Sequence, residues 1–188
     1  ICGGCGLCGA VCPSGAAQTA YPPADHLFSS IASLLNYYRE AGGKTPFLLL
    51  HDGTYGIEMI ETIPRYGRGR PANMLPVSMH SMGRAGHDAM VAAVALGCHQ
   101  VFVLLNPSKD IENGPLVDQV ELARALLAGV NADADNRIIL VDKVDPEIDR
   151  EYDEAPKSMK GAVVGKNAKN NLVCSKAAET FTSAYGSE

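Results

Sequence analysis

The sequence lacks the features that would place the chain at once in several common functional classes. It has no excess of basic residues: 16 lysines and arginines stand against 21 aspartates and glutamates, which gives a net charge of -5. That balance argues against a general nucleic-acid partner, which would favour a basic face. No apolar run approaches the roughly 20 residues that span a bilayer, and no P-loop motif is present. We therefore expect no nucleic-acid partner and no membrane span.

Cysteine is present, but in an unusual distribution. Four of the six cysteines fall within the first twelve residues, and the other two, Cys98 and Cys174, stand far away in apolar surroundings. Disulfide scaffolds usually spread their cysteines through a small chain. This chain has 188 residues, 46% of them hydrophobic, which is enough for a sizeable core. The clustering therefore favours metal binding in a reducing compartment, and we expect a cytoplasmic protein in which Cys98 and Cys174 are buried structural thiols.

The first thirteen residues, ICGGCGLCGAVCP, have the spacing C-x2-C-x2-C-x3-C-P of a bacterial ferredoxin iron–sulfur run. Closely spaced thiolates can surround a cubane only on a tight loop, and the interspersed glycines permit that backbone and let N–H groups point at sulfur. Structural zinc normally uses two separated cysteine pairs, so zinc and disulfide bonding are the weaker alternatives. The predicted cofactor is a [4Fe–4S] cluster, and the predicted metal ligands are Cys2, Cys5, Cys8 and Cys12.

The run is half of a two-cluster module. In two-cluster ferredoxins the cysteine before proline, here Cys12, ligates the other cluster. That other cluster would need three cysteines upstream of Ile1, and neither Cys98 nor Cys174 is followed by proline. We therefore expect the chain to be a fragment of a longer polypeptide, in which the cluster is not necessarily held by this part alone.

Downstream of the cysteines, apolar strand patterns alternate with helical ones. We expect residues 1–23 to be a ferredoxin-type half-module, residues 24–45 a connecting helix, and residues 46–188 a Rossmann-like domain. The predicted strands are 46–52, 72–79, 100–107 and 137–143, with 161–165 as a possible fifth. The predicted helices of this domain are 56–67, broken or kinked near Pro64, 86–97, 116–130 and 169–185. This alternation predicts an α/β fold, a three-layer sandwich with a mostly parallel sheet of four or five strands behind a small Cys-rich segment.

The carboxyl ends of parallel strands are where such folds bind ligands. Here that edge would display a polar group after the first strand, which opens the following helix and could hold an anion or nucleotide. The predicted cofactor-binding residues are Asp52, Gly53, Thr54 and Gly56. The interpretation that we favour for them is nevertheless ordinary capping of strands and helices. The histidines show no metal-ligand spacing, and no nucleophile–base set stands out.

The stretch from LLLHD through PANMLPVSMHSMGRAGHDAMVAAVALGCHQVFVLL resembles the domain of the delta subunit of methyl-viologen-reducing hydrogenase, over roughly residues 46–143. In that family a parallel α/β unit assists electron transfer, with cysteines for a [2Fe–2S] cluster placed after its strands. The corresponding places here read HDGTY, HSMGR and LLNPS, without cysteine. The resemblance implies a retained scaffold without those ligands. Joined to the cysteine run, the chain resembles the large multi-ferredoxin iron–sulfur proteins of bacteria.

Together these features predict an electron-transfer protein fragment: a component of an oxidoreductase rather than a complete enzyme, with redox proteins as partners. The sequence identifies neither the electron donor nor the acceptor, nor the oligomeric state. The first alternative is a flavin- or nucleotide-binding oxidoreductase component. The second is a non-redox interaction module that inherited a redox fold.

Overall fold

The computed structural model describes residues 2, 4–20, 22–66, 70–130 and 134–141. Within that part of the chain, strands and helices alternate. The strands are β1 (Phe47–Asp52), β2 (Met74–Met79), β3 (Gln100–Leu104) and β4 (Ile138–Val141). The helices are α1 (Leu7–Ala10), α2 (Ala24–Glu40), α3 (Tyr55–Tyr66), α4 (His87–Ala95), α5 (Asp110–Gly129) and α6 (Ala134–Arg137), and a 3₁₀ turn (Met82–Arg84) lies between β2 and α4.

The strands form a parallel sheet in the order β2-β1-β3-β4. The central strand β1 is buried along its whole length, as expected for a parallel sheet covered on both faces. Strand β2 is an edge of this four-stranded sheet, and it carries Pro76 opposite Leu49 of β1. Proline has no N–H to donate to a second neighbour, so an edge strand accommodates it.

Helices cover both faces of the sheet. On one face, α2, α4 and α5 pack against the strands and contribute Leu35, Met90 and Val120 to the larger core cluster. On the other face, α3 packs Met59 and Ile60 against a smaller cluster built from β1, β2, β3 and β4. Successive strand residues alternate between the two clusters because side chains on a strand point to opposite faces. The predicted α/β three-layer architecture is therefore confirmed.

Two helices differ in extent from the prediction. Helix α5 begins at Asp110 rather than at residue 116 and includes Pro115. A proline close to the start of a helix removes few intrahelical hydrogen bonds, and the Asn113 side chain anchors this turn by donating to the Asn106 carbonyl oxygen at 2.9 Å. Helix α3 continues past Pro64 to Tyr66, which leaves the proline in its last turn. The predicted fifth strand, the last predicted helix and Cys174 lie outside the described residues.

The two longest helices are α5, with 20 residues, and α2, with 17. Helix α2 buries Ile31 and Leu35 while it exposes Tyr37 and Arg39, so it is amphipathic. Among the described residues, none of the helices combines the length and the apolar composition that a membrane crossing requires.

Candidate functional site

The four predicted ligands lie in what we call the cysteine head, residues 1–23. Cys8 belongs to the short helix α1, and Cys2 and Cys5 precede that helix in the chain. Cys2 and Cys8 are exposed, whereas Cys5 and Cys12 are half-buried, and all four are free thiols. Free, accessible thiols are the state from which iron or zinc could be taken up.

Backbone and hydroxyl groups of the head approach two of these sulfur atoms. The Ala17 N–H donates to Cys12 Sγ at 3.4 Å, and Ser14 Oγ lies 3.5 Å from the same sulfur. The Gly4 N–H donates to Cys2 Sγ at 3.4 Å. The Ser14 hydroxyl and the backbone N–H groups around it lower the pKa of Cys12 to about 7. Stabilised thiolates are the form in which cysteine binds metal, so the donor chemistry of the head fits an iron–sulfur cluster.

The positions of the four thiols fit a shared cluster less closely than their chemistry does. Nowhere in the described part of the chain do three His, Cys, Asp or Glu side chains come close enough together to hold one metal ion. The head therefore does not gather Cys2, Cys5, Cys8 and Cys12 at one point. That these four residues bind metal stays a prediction.

The cysteine head docks on the 3₁₀ turn that follows β2. The Arg84 guanidinium donates to the Pro22 carbonyl oxygen at 2.6 Å, which ties the end of the head to this turn. A Cβ placed on Gly83 would lie 3.1 Å from the Cys5 carbonyl oxygen and 3.3 Å from the Leu7 side chain. The cysteine head and the 3₁₀ turn therefore approach each other closely at this glycine. The head thus lies at the carboxyl end of β2 and contacts the HSMGR segment that follows this strand.

Gly6 shows how closely the two parts meet. Its backbone is left-handed, with φ +78°, and an added Cβ would overlap the Arg84 side chain. Glycine supplies both the conformation and the space at this position. The arginine stem therefore packs against the head while its guanidinium holds Pro22.

The second candidate site is a buried carboxylate at the carboxyl end of β1. Asp52 is 2% exposed and accepts hydrogen bonds from the Gly56 N–H at 2.8 Å and from the Thr54 hydroxyl and N–H at 3.0 and 3.3 Å. The Asn106 side-chain amide, which follows β3, donates at 2.6 Å to Asp52 Oδ2, the oxygen that also accepts from the Thr54 hydroxyl. Lys109 Nζ lies 3.8 Å from the same carboxylate oxygen. We call these five residues the Asp52 cluster.

Both titratable groups at the end of β1 have shifted pKa values. Burial acts to raise the pKa of the Asp52 carboxyl, but the hydrogen bonds just described together outweigh burial, and the pKa lies below its ordinary value. Burial lowers the pKa of the adjacent His51, whose Nδ1 lies 2.8 Å from the Asp52 carbonyl oxygen. The edge therefore holds one buried anion beside a histidine whose neutral form is favoured.

Of the residues predicted to bind a cofactor, the structure brings Asp52, Thr54 and Gly56 into one network. Gly53 is exposed in the turn before α3 and takes no hydrogen bond in that network. The Asp52 carboxylate accepts the N–H groups at the start of α3, which is where a phosphate would otherwise bind. These contacts are those of helix capping, and cofactor binding at these residues stays a prediction.

Sequence reasoning did not connect Lys109 with the end of β1. Lys109 stands 57 positions after Asp52 in the sequence, and no spacing rule joins the two. The only sequence signal for Lys109 is its position shortly after the third strand. The carboxyl end of that strand lies beside the carboxyl end of β1 in the parallel sheet.

The remaining predicted thiol and His87 have structural environments. Cys98 is 1% exposed and donates to the Pro46 and Gln100 carbonyl oxygens, which confirms it as a buried structural thiol. His87 Nδ1 lies 2.7 Å from Gln119 Oε1. His80 is exposed at the end of β2.

The chain matches no protein-family model, and no curated protein sequence matches it.

Proposed function

We propose that the chain is an electron-transfer protein in which the cysteine head binds a [4Fe–4S] cluster and the α/β domain positions that head and docks redox partners. The observation that carries the proposal is the run C-x2-C-x2-C-x3-C-P at residues 2–13. Cys2, Cys5 and Cys8 would hold one cluster, and Cys12 would serve a second. A bound cluster would supply one-electron transfer, without substrate chemistry in this chain.

The contacts of the head support this proposal. Hydrogen bonds from backbone N–H groups to sulfur tune the potential of protein-bound clusters, and the Ala17 N–H makes such a bond with Cys12. The Arg84–Pro22 hydrogen bond and the close approach of Gly83 fix the head on a rigid sheet edge. Fixed positions favour electron transfer because a cluster must be presented to its partner at a defined distance and orientation.

The two alternative functions rank lower because no contact favours them over the first. A flavin- or nucleotide-binding component would use the edge at Asp52–Gly56, where the carboxylate already takes the N–H groups that a phosphate needs. The carboxylate also brings negative charge to the place where another anion would have to bind. A non-redox interaction module would need none of the four cysteines of the head.

The test is anaerobic reconstitution of the chain with iron and sulfide, followed by iron counting and EPR after reduction. An excess of 2-mercaptoethanol can supply a fourth thiolate where the chain offers three. We expect the native chain to take up a [4Fe–4S] cluster, and Cys5→Ala and Cys8→Ala each to lose most of the iron and the EPR signal. Cys98→Ala is the matched control and should keep both.

Two results would contradict the proposal. One is that the native chain takes up no sulfide-dependent iron under these conditions. The other is that Cys5→Ala and Cys8→Ala bind as much iron as Cys98→Ala. Zinc bound by the same cysteines without iron would instead support a structural metal site, and saturable flavin binding by the native chain would favour the first alternative.

A further inference from the structure

A cleft with an unusual charge opens at the amino edge of the sheet, opposite the cysteine head and the Asp52 cluster. It has a volume of about 540 Å³ and lies where β1, β3 and β4 begin. Three cationic side chains from separate segments line it: Arg39 from the last turn of α2, Lys44 from the loop before β1, and Arg137 from the end of α6. Among the residues that the structure describes, its lining contains no aspartate or glutamate.

The two arginines are held in place by the backbone. Arg39 donates to the Leu96 carbonyl oxygen at the end of α4, and Arg137 donates to the His99 carbonyl oxygen at 2.9 Å. These bonds use a minority of the five N–H donors on each guanidinium. Within the described ranges, Arg39, Lys44 and Arg137 form no ion pair with a carboxylate. The side chains are thus positioned without being neutralised.

The simplest structural reason for cations at this edge is the helix dipole. Helices α2 and α4 end here, and each helix C-terminus carries roughly half a negative charge. Two such ends offset about one of the three positive charges. Glu40 follows Arg39 in the chain, but it does not line the cleft. The cleft therefore keeps a positive charge on a protein whose net charge is -5.

Buried side chains at the amino edge of the sheet lie beneath the cleft. Cys98 is buried there, and its thiol donates to the Pro46 carbonyl oxygen at 3.3 Å. The His99 ring stacks on Phe47 with 5.8 Å between ring centroids, and its Nδ1 lies 3.4 Å from Arg137 Nη1. The cleft thus places the guanidinium groups of Arg39 and Arg137 beside buried side chains of the sheet edge.

We propose that this cleft binds a small molecule through its phosphate or pyrophosphate group, with Arg39, Lys44 and Arg137 as the anion ligands. Multidentate contacts from arginine to phosphate oxygens are strong and directional, and lysine adds a point charge. The volume is within the range of small-molecule sites. The site is independent of the cysteines and of the proposed electron transfer.

The test is calorimetric titration of the native chain with inorganic pyrophosphate at fixed ionic strength. We expect saturable binding, weakened at least tenfold by Arg39→Gln and by Arg137→Gln. Lys109→Gln removes the same charge at the opposite edge and should leave the affinity within twofold. Lys44→Gln is the second variant, because this exposed side chain holds no backbone group and its replacement should not unfold the protein.

Circular dichroism and urea unfolding would confirm that each variant is folded. The absence of saturable binding by the native chain would overturn the proposal. So would an equal loss of affinity in Lys109→Gln and Arg137→Gln, since the effect would then be one of net charge. Binding that Lys109→Gln alone abolishes would place the anion at the Asp52 cluster and would also overturn it.

Discussion

The two edges of the sheet use charge in opposite ways. At the carboxyl edge, one carboxylate, Asp52, is buried and accepts hydrogen bonds from three neighbouring residues, with Lys109 close by. At the amino edge, Arg39 and Arg137 stand at an open cleft with most of their donors unused. The start of α3 lies at the carboxyl edge and the ends of α2 and α4 lie at the amino edge, so the sign of the side-chain charge at each edge opposes the local helix dipole.

The comparison indicates that the carboxyl edge stabilises the fold, whereas the amino edge is open to a ligand. A buried carboxylate with all its partners in place holds β1, β3 and the start of α3 together, and it leaves little capacity for an external anion. The two arginines donate only to backbone carbonyl oxygens, so they keep further N–H donors for an external anion. In parallel α/β folds the carboxyl edge is the usual ligand edge, and here the cysteine head occupies part of it.

The largest effect should come from removing the buried carboxylate. Asp52→Ala leaves the Asn106 amide and the N–H groups at the start of α3 without their acceptor. We expect a loss of about 3 kcal/mol in the free energy of unfolding, since buried hydrogen bonds to charged groups are costly to break. Urea unfolding followed by circular dichroism measures it.

The control for this variant is Asp118→Ala, on the exposed side of α5, which should change stability by less than about 0.5 kcal/mol. Acid provides a second check. Because the pKa of Asp52 lies below its ordinary value of 3.8, its contribution is present above that pH and is lost as the pH falls through the lowered pKa. The native chain and Asp52→Ala should therefore converge in stability on acidification, and a constant difference would contradict the assignment.

A smaller effect should come from filling space at the same edge. A Cβ on Gly56 would lie 2.5 Å from the His51 Cβ, an atom fixed by the strand backbone. Overpacking of this kind costs about 2 kcal/mol, more than the helix propensity that alanine gains. Gly114→Ala in α5 is the matched control, because nothing lies within 4 Å of its Cβ. We expect this control to be neutral or to raise the urea midpoint, and equal effects of the two variants would show that the carboxyl edge is not tightly packed.

The smallest effect should come from the corresponding change at the amino edge. Gly97 follows α4 with φ +90°, and an added Cβ would overlap only the terminal guanidinium of Arg39. We expect Gly97→Ala to cost about 1 kcal/mol, which is the backbone strain of a left-handed alanine. Gly97→Asn should cost less because asparagine tolerates this conformation. If Gly97→Ala destabilised the fold more than Gly56→Ala, the amino edge would be the tighter one and the comparison would fail.

Prediction from sequence succeeded where the signal was local and periodic. The apolar run at residues 46–52 and the alternation of strand patterns with helical ones predicted the parallel strands. The start of α5 was missed because Pro115 resembles a helix boundary, whereas the contact of Asn113 with Asn106 extends the helix backward. Local patterns do not contain such contacts.

The same distinction between local patterns and contacts of distant residues applies to the candidate sites. Sequence placed Asp52, Thr54 and Gly56 together because they are neighbours in the chain at the end of one strand. It could not place Lys109 beside Asp52, nor join Arg39 to Arg137, because those pairs meet only when separate elements pack.

The sequence by itself determined the α/β fold class, through hydrophobic periodicity, and the chemistry proposed for the cysteine head, through the spacing of Cys2, Cys5, Cys8 and Cys12. Both are short-range properties of the chain. Only the tertiary structure decided that Arg84 holds the head at the carboxyl edge and that three cations share a cleft at the other edge. These groups are distant in sequence, and the parallel sheet brings them together because it aligns all strand ends of one kind at the same edge.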